Sequence, residues 1–168
     1  MKEIMDEAQI ARTLKRLAHE IIESHPDLDK LLLVGIKTRG EAIAERLKRN
    51  IRILTGVEVE KVSFDFHEYR DDVISENAST LPSEVIDRIV ILVDDVLFEG
   101  RTIRAAMDGV MHRGRANKIE AAVLVDRGHR KLPIRADYVG KNIPTSINEK
   151  VAVHLKEYDD EDKVIIVD

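Results

Sequence analysis

An α/β fold on a mainly parallel sheet is predicted by two features of this sequence. Short, wholly apolar runs such as Leu31–Val34 and Ile89–Val93 recur, as expected of strands buried on both faces. Between them lie stretches with apolar residues at helical spacing, so strand, loop, helix and strand follow one another several times. The 168 residues suit one domain spanning 1–168.

Asp6 to Ser24 reads as an amphipathic helix. Asp6 and Gln9 have capping-box spacing, and Ile10, Leu14, Leu17, Ala18, Ile21 and Ile22 form one apolar face. His25-Pro26-Asp27 stops it. The strand Leu31–Val34 leads through a loop, Gly35 to Gly40, into a helix from Glu41 to Asn50. Val57 to Phe66 alternates partly and predicts a strand. Glu68 to Glu84 is polar, with Pro82 inside it, and predicts a mobile loop. Ile89–Val93 is the clearest strand. It ends in Asp94-Asp95, passes Gly100, and enters a helix from Thr102 to His112 with Gly114 beyond it. Ile119 to Val125 is a further strand, ending in Asp126-Arg127-Gly128. Tyr138-Val139, Val151–Leu155 and Val164–Val167 are shorter ones.

Composition narrows the chemistry. There is no cysteine, hence no disulfide and no thiol ligand or nucleophile. No apolar run reaches membrane length and the first residues lack a signal-peptide core, so a cytoplasmic protein without membrane contact is expected. Net charge is −5, so any nucleic-acid binding must come from a local basic patch. No histidine pair has metal-ligand spacing. His25 reads as the neighbour of a helix-ending proline, and His67 and His112 as surface residues.

In α/β sheets ligands bind at the carboxyl ends of the strands. Three such ends carry polar residues here: Lys37-Thr38-Arg39, Asp94-Asp95 and Asp126-Arg127. The second is the most informative. An apolar strand delivers two carboxylates, which suit a ribose diol or Mg2+ held indirectly. A loop with Gly100 then opens a helix whose free N–H groups suit a phosphate, with Thr102 placed to cap it. The loop Gly35 to Gly40, with Lys37 and Arg39, could hold a diphosphate, although a basic surface turn is the commoner reading of such residues.

The segment Val90 to Thr102 resembles the phosphoribosyl-diphosphate signature of type I phosphoribosyltransferases. Val123 to Arg130 and Leu132 to Ser146 are similar to the pyrimidine-operon attenuation regulators of that family, which are also uracil phosphoribosyltransferases. Val34 to Gly40, Tyr69 to Asp72 and Arg16 to Glu20 share the likeness, which covers nearly the whole chain. The resemblance implies a sheet flanked by helices with a small hood made from the chain ends. It implies transfer of uracil to phosphoribosyl diphosphate (PRPP) with Mg2+, giving UMP and diphosphate. It also implies binding of a stem-loop in pyrimidine-operon mRNA, with UMP or UTP as effector, by a homodimer or tetramer. The substrate contacts it implies are Thr38, Arg39, Asp94, Asp95, Val96, Leu97, Phe98, Glu99, Gly100, Arg101, Thr102, Arg127 and Val151. Asp94 and Asp95 would take the ribose hydroxyls and Glu99 to Thr102 the 5′-phosphate. Arg127 and Val151 would lie at the base or diphosphate side, and Asp94, Asp95 and Arg127 would serve catalysis. The alternative is a transferase for another base, such as a purine, without an RNA role; Val123 to Ser146 disfavours it.

On the first predicted helix Arg12, Lys15, Arg16 and His19 fall on one arc, opposite the apolar face. Alone, such an arc is more often a solvated surface. By resemblance, these residues with Arg130, Arg135 and Lys141 are the RNA-binding side. The sequence departs from the family where Glu99 replaces a threonine, Phe98 a tyrosine, Lys15 a threonine and Ser24 an arginine, and where 72–87 is shorter. A carboxylate at Glu99 predicts repulsion of a phosphate if it points inward.

Overall fold

A computed structural model describes residues 1–73 and 77–168 of the chain. The chain starts with a short strand, β1 (Lys2–Met5), then α1 (Glu7–Ser24), β2 (Leu31–Ile36), α2 (Arg39–Thr55) and β3 (Glu60–Phe64). After an irregular passage come β4 (Ile89–Leu97), α3 (Arg101–Arg113), β5 (Lys118–Asp126) and β6 (Tyr138–Asn142). The C-terminal part is β7 (Lys150–His154), a single turn α4 (Lys156–Asp159) and β8 (Lys163–Val167). The main sheet has the order β3-β2-β4-β5-β6 and is parallel throughout. A second, antiparallel sheet β1-β8-β7 joins the two chain ends into the expected hood.

Alternation of side chains along the central strands explains the unbroken apolar runs. Leu31, Leu33, Ile91, Val93, Ala122 and Leu124 face α1 and α2 in one core. Leu32, Val34, Val90, Leu92, Ala121 and Val123 face α3 and Phe66 in another. At roughly 25 cal/mol per Å² of apolar surface, burying both faces is the main stabilising term. Polar groups are left the strand ends.

Helix α1 starts with the predicted capping box: Gln9 N donates to Asp6 Oδ1 (2.8 Å), and Asp6 N to Gln9 Oε1 (2.9 Å). Its end is not as predicted. His25 is buried, not merely a neighbour of proline, because Nε2 lies 2.6 Å from Glu120 Oε1 and 3.1 Å from the Tyr138 hydroxyl. Burial alone would raise the Glu120 carboxyl, but hydrogen bonds from His25, Lys118 and Tyr138 outweigh it and hold Glu120 below the usual glutamate value. Tyr138, chiefly through burial, is pushed up to about 12. This network ties the end of α1 to β5 and β6.

Several boundaries differ from the sequence reading. β1 lacks a local signal and exists because Lys2 and Glu3 pair with Ile166 and Ile165 at the far end of the chain. β4 runs through Asp94-Asp95 to Leu97, because Asp94, Val96 and Leu97 stay in register with Val123, Val125 and Asp126 of β5. Of the predicted loop Glu68 to Glu84, residues 74–76 lie outside the described residues. Its later part rejoins the fold: Leu81 is buried in the second core, and Ser83 Oγ donates to Glu60 (2.5 Å).

One close approach sets the position of α2. A Cβ at Gly40 would lie 2.3 Å from the Val93 carbonyl oxygen and 3.1 Å from Asp94 Cα. Only a bare Cα lets the first turn of α2 rest on β4. Gly40→Ala is therefore expected to cost about 2 kcal/mol in urea unfolding, as overpacking against backbone does.

Candidate nucleotide site and nucleic-acid face

The site forms where β2, β4 and β5 end. β2 passes through Lys37-Thr38 into α2, whose contact with β4 at Gly40 sets this turn beside Asp94. Arg39 is bonded twice to Asp159, Nη2 to Oδ1 at 2.7 Å and Nε to Oδ2 at 3.3 Å, and its guanidinium lies 5.6 Å from the Tyr158 ring centre. The Tyr158 hydroxyl donates to the Thr38 carbonyl (3.1 Å).

On β4, Asp95 N donates to Asp94 Oδ1 (2.9 Å) and Val96 N to Asp95 Oδ1 (2.8 Å), which fixes both carboxyls. Asp94 is 9% exposed. Burial first, and then the Asp95 charge, push its carboxyl well above the usual aspartate range. Gly100, at φ 97°, turns the chain into α3. Gly100 itself is the capping residue and no side chain caps the helix, so Thr102 does not take the predicted capping role. The first intrahelical bond is Arg104 N to Gly100 O, which leaves the N–H groups of Arg101, Thr102 and Ile103 without helical partners. A hollow of about 110 Å³ lined by Arg70 and Val96 to Ile103 adjoins them. A neighbouring one of about 200 Å³ is lined by Lys37, Asp65, His67, Arg70 and Thr102 among others.

The Glu99 carboxylate does not stand alone. Its Oε1 lies 3.4 Å from Arg101 Nε, and Arg101 also pairs with Asp71. The repulsion expected of it is thus partly offset by an adjacent cation. The Glu99 carbonyl accepts from the N–H groups of Lys131 and Leu132, which pins the loop to the passage after β5. Arg127 is buried, stacks 3.8 Å from the Phe98 ring centre, and donates to the Glu149 carbonyl and the Thr145 hydroxyl. It reaches the same edge of the sheet, but its donors hold the 145–149 segment. Val151 sits apart on β7, half-buried against the first core. Arg70 carries no strand-end signal in the sequence; only the fold brings it to both hollows.

The profile of the phosphoribosyl transferase domain matches residues 1–168. The chain belongs to this family. It is 51% identical over 168 residues to the bifunctional protein PyrR of Streptococcus pneumoniae strains CGSP14 and TIGR4, covering 99% of this chain and 97% of each relative. Among solved structures, the hypoxanthine phosphoribosyltransferase of Trypanosoma cruzi superposes with TM-score 0.77 at 20% identity, covering 99% of this chain and 95% of that one. The hypoxanthine-guanine phosphoribosyltransferase of Bacillus anthracis gives 0.76 at 19%, covering 100% and 98%. At such identities these structures share the fold. The type I phosphoribosyltransferase architecture is therefore as the sequence predicts: a parallel sheet with flanking helices and a hood.

In this phosphoribosyltransferase the basic residues singled out in the sequence lie on α1, on the edge strand β6 and in the passage between β5 and β6. Arg12, Lys15 and His19 are exposed on α1, and their side chains make no hydrogen bond or ion pair among the described residues. Arg16 differs: it pairs with Glu20 and donates to the carbonyls of Gly140 (2.5 Å) and Val139 (3.3 Å), so it pins α1 to β6. Arg130 and Arg135 line an open depression of about 590 Å³ with Asp126, Val139 and Asn142, and Lys141 is exposed on β6. Among the described residues no helix is long and apolar enough to cross a membrane.

The raised Asp94 carboxyl has a thermodynamic consequence. A carboxyl harder to ionise in the fold than in the unfolded chain loses stability as the pH rises from its ordinary value of 3.8 toward the folded value. Asp94→Asn should therefore raise the Tm by a few degrees at pH 7.5. The gain should shrink as the pH is lowered toward 4, as differential scanning calorimetry across pH would record.

Proposed function

We propose that this phosphoribosyltransferase is a pyrimidine-operon attenuation regulator that also converts uracil and PRPP to UMP and diphosphate. The observation that carries this reading is one arrangement in a chain 51% identical to bifunctional PyrR proteins: an aspartate pair on β4 immediately precedes the Val96 to Ile103 segment, which lines a hollow at the first turn of α3, where the amides have no helical partners. In it, Asp94 and Asp95 accept the ribose hydroxyls, and the Glu99 to Thr102 turn takes the 5′-phosphate. Thr38 and Arg39 meet the diphosphate, Phe98 and Arg127 border the base, and Val151 lies at the base or diphosphate side.

Mg2+ would arrive with PRPP. Hard carboxylate oxygens together with diphosphate oxygens are the donor set it takes. Among the described residues no group of three or more His, Cys, Asp or Glu is assembled for a metal of the protein's own. The reaction is displacement at the anomeric carbon through a state with positive charge on the sugar. The chain contributes positioning and negative charge near that carbon.

UMP or UTP in this hollow is the effector, and the RNA partner is a stem-loop of pyrimidine-operon mRNA. Arg12, Lys15, Arg16, His19, Arg130, Arg135 and Lys141 form its face. A homodimer or tetramer would extend that face across subunits. Sequence choice would come from unpaired loop bases, since A-form grooves are hard to read.

The test pairs two assays. UMP should form from uracil and PRPP and be lost in Asp95→Asn, while a panel of purine bases yields no nucleotide. Product from hypoxanthine instead of uracil would favour the other-base transferase. Glu99→Thr should tighten UMP binding by removing a carboxylate beside the phosphate. In salt titrations, Lys15→Glu should weaken leader-hairpin binding in the presence of UMP. Replacing one phosphate-contacting lysine should lower the log–log salt slope by about 1. An unrelated hairpin bound as tightly would remove the regulatory half of the reading.

A further inference from the structure

The turn assigned above to the diphosphate is not closed by its own side chains. Thr38 stands at the N-terminus of α2 and makes no side-chain cap. What holds the turn comes from the hood. The Tyr158 hydroxyl donates to the Thr38 carbonyl (3.1 Å), and Asp159 binds two donors of Arg39 (2.7 and 3.3 Å). Both members of the turn are thus grasped from α4 by consecutive residues.

Asp159 is itself fixed. Its Oδ2 accepts from Leu155 N (2.9 Å), and its own N–H donates to the Leu155 carbonyl (2.7 Å). The seam continues along α2, where Arg46 donates to Glu157 and to Asp162, the latter through Nη1 at 2.8 Å and Nη2 at 2.9 Å. Arg39 spends Nε and Nη2 on Asp159, while its Nη1 has no hydrogen-bond partner among the described residues and the side chain remains 34% exposed. A guanidinium is a rigid planar fork, so fixing one edge aims the other. Arg39 is oriented by the hood without being hidden by it.

We propose that Tyr158 and Asp159 are positioning residues for the diphosphate: from the hood, they fix the Thr38-Arg39 turn in the geometry that receives it. The assignment rests on the nucleotide reading above. It adds a specificity consequence. PRPP carries a diphosphate and UMP does not, so loosening the turn penalises PRPP and spares UMP. The hood also carries Val151 on β7, next to α4 in sequence, so the base side and the diphosphate turn are held by one small sheet and its following turn.

The experiment is calorimetric titration of the full chain with PRPP plus Mg2+ and, separately, with UMP. It uses the parent, Asp159→Asn and Tyr158→Phe, with the Tm of each recorded. Asp159→Asn keeps an oxygen for Leu155 N, and Tyr158 is 42% exposed, so Tyr158→Phe provides a variant that folds. The expected result is a PRPP Kd raised about tenfold in Asp159→Asn and about threefold in Tyr158→Phe, with UMP Kd unchanged within about twofold. A general loss of fold would weaken both ligands together. Equal effects on both ligands, or none on either, would overturn the assignment. Tighter PRPP binding by Asp159→Asn would do so as well, because the carboxylate would then be competing for Arg39 rather than aiming it. If the parent binds neither ligand, the nucleotide reading itself fails and this assignment falls with it.

Discussion

The contact of Gly40 with the backbone of β4 governs the geometry of the whole strand-end region. It lets the first turn of α2 lie on the Val93 carbonyl, one residue before the aspartate pair. The turn that precedes α2 is thereby delivered to the same edge as Asp94-Asp95 and the start of α3. Because the sheet is buried on both faces, its carboxyl edge is where polar groups from three strands can meet without being paired inside a core. The site follows from how this sheet is covered.

That edge carries a cost. Asp94 is buried next to another carboxylate, an arrangement that opposes its ionisation. In the proposed reading, a nucleotide or a cation would supply donors or positive charge for these oxygens.

The cations divide into two groups. Arg16, Arg39, Arg46 and Arg127 are committed to carbonyls and carboxylates that join separate elements: α1 to β6, α2 to the hood, and β5 to the 145–149 segment. Arg12, Lys15, His19, Arg130, Arg135 and Lys141 are not committed to ion pairs among the described residues and lie on α1, on β6 and in the passage before β6. In a chain of net charge −5, the proposed RNA face therefore rests on a local group of cations and not on bulk charge. Helical periodicity alone puts Arg16 with Arg12 and Lys15; the packing of α1 on β6 separates them.

The main strands, the capped first helix and the strand-end motif were legible in the sequence because each is written in contiguous residues. Apolar runs, a capping box, two acids and a glycine before a helix need no distant partner to be read. β1, the burial of His25, the pairing of Glu99 with Arg101, the pair of hollows shared by Arg70, and the grasp of Arg39 by Asp159 were not legible. Several of these join residues more than a hundred positions apart, such as Arg39 and Asp159 or Lys2 and Ile166. Local pattern carries no information on pairings of that separation. By itself, then, the sequence determined the parallel sheet, the aspartate pair and the glycine turn that opens α3. Tertiary structure alone decided which charges are spent inside the fold and which stay exposed, because a side chain's partners are set by packing and not by its neighbours along the chain.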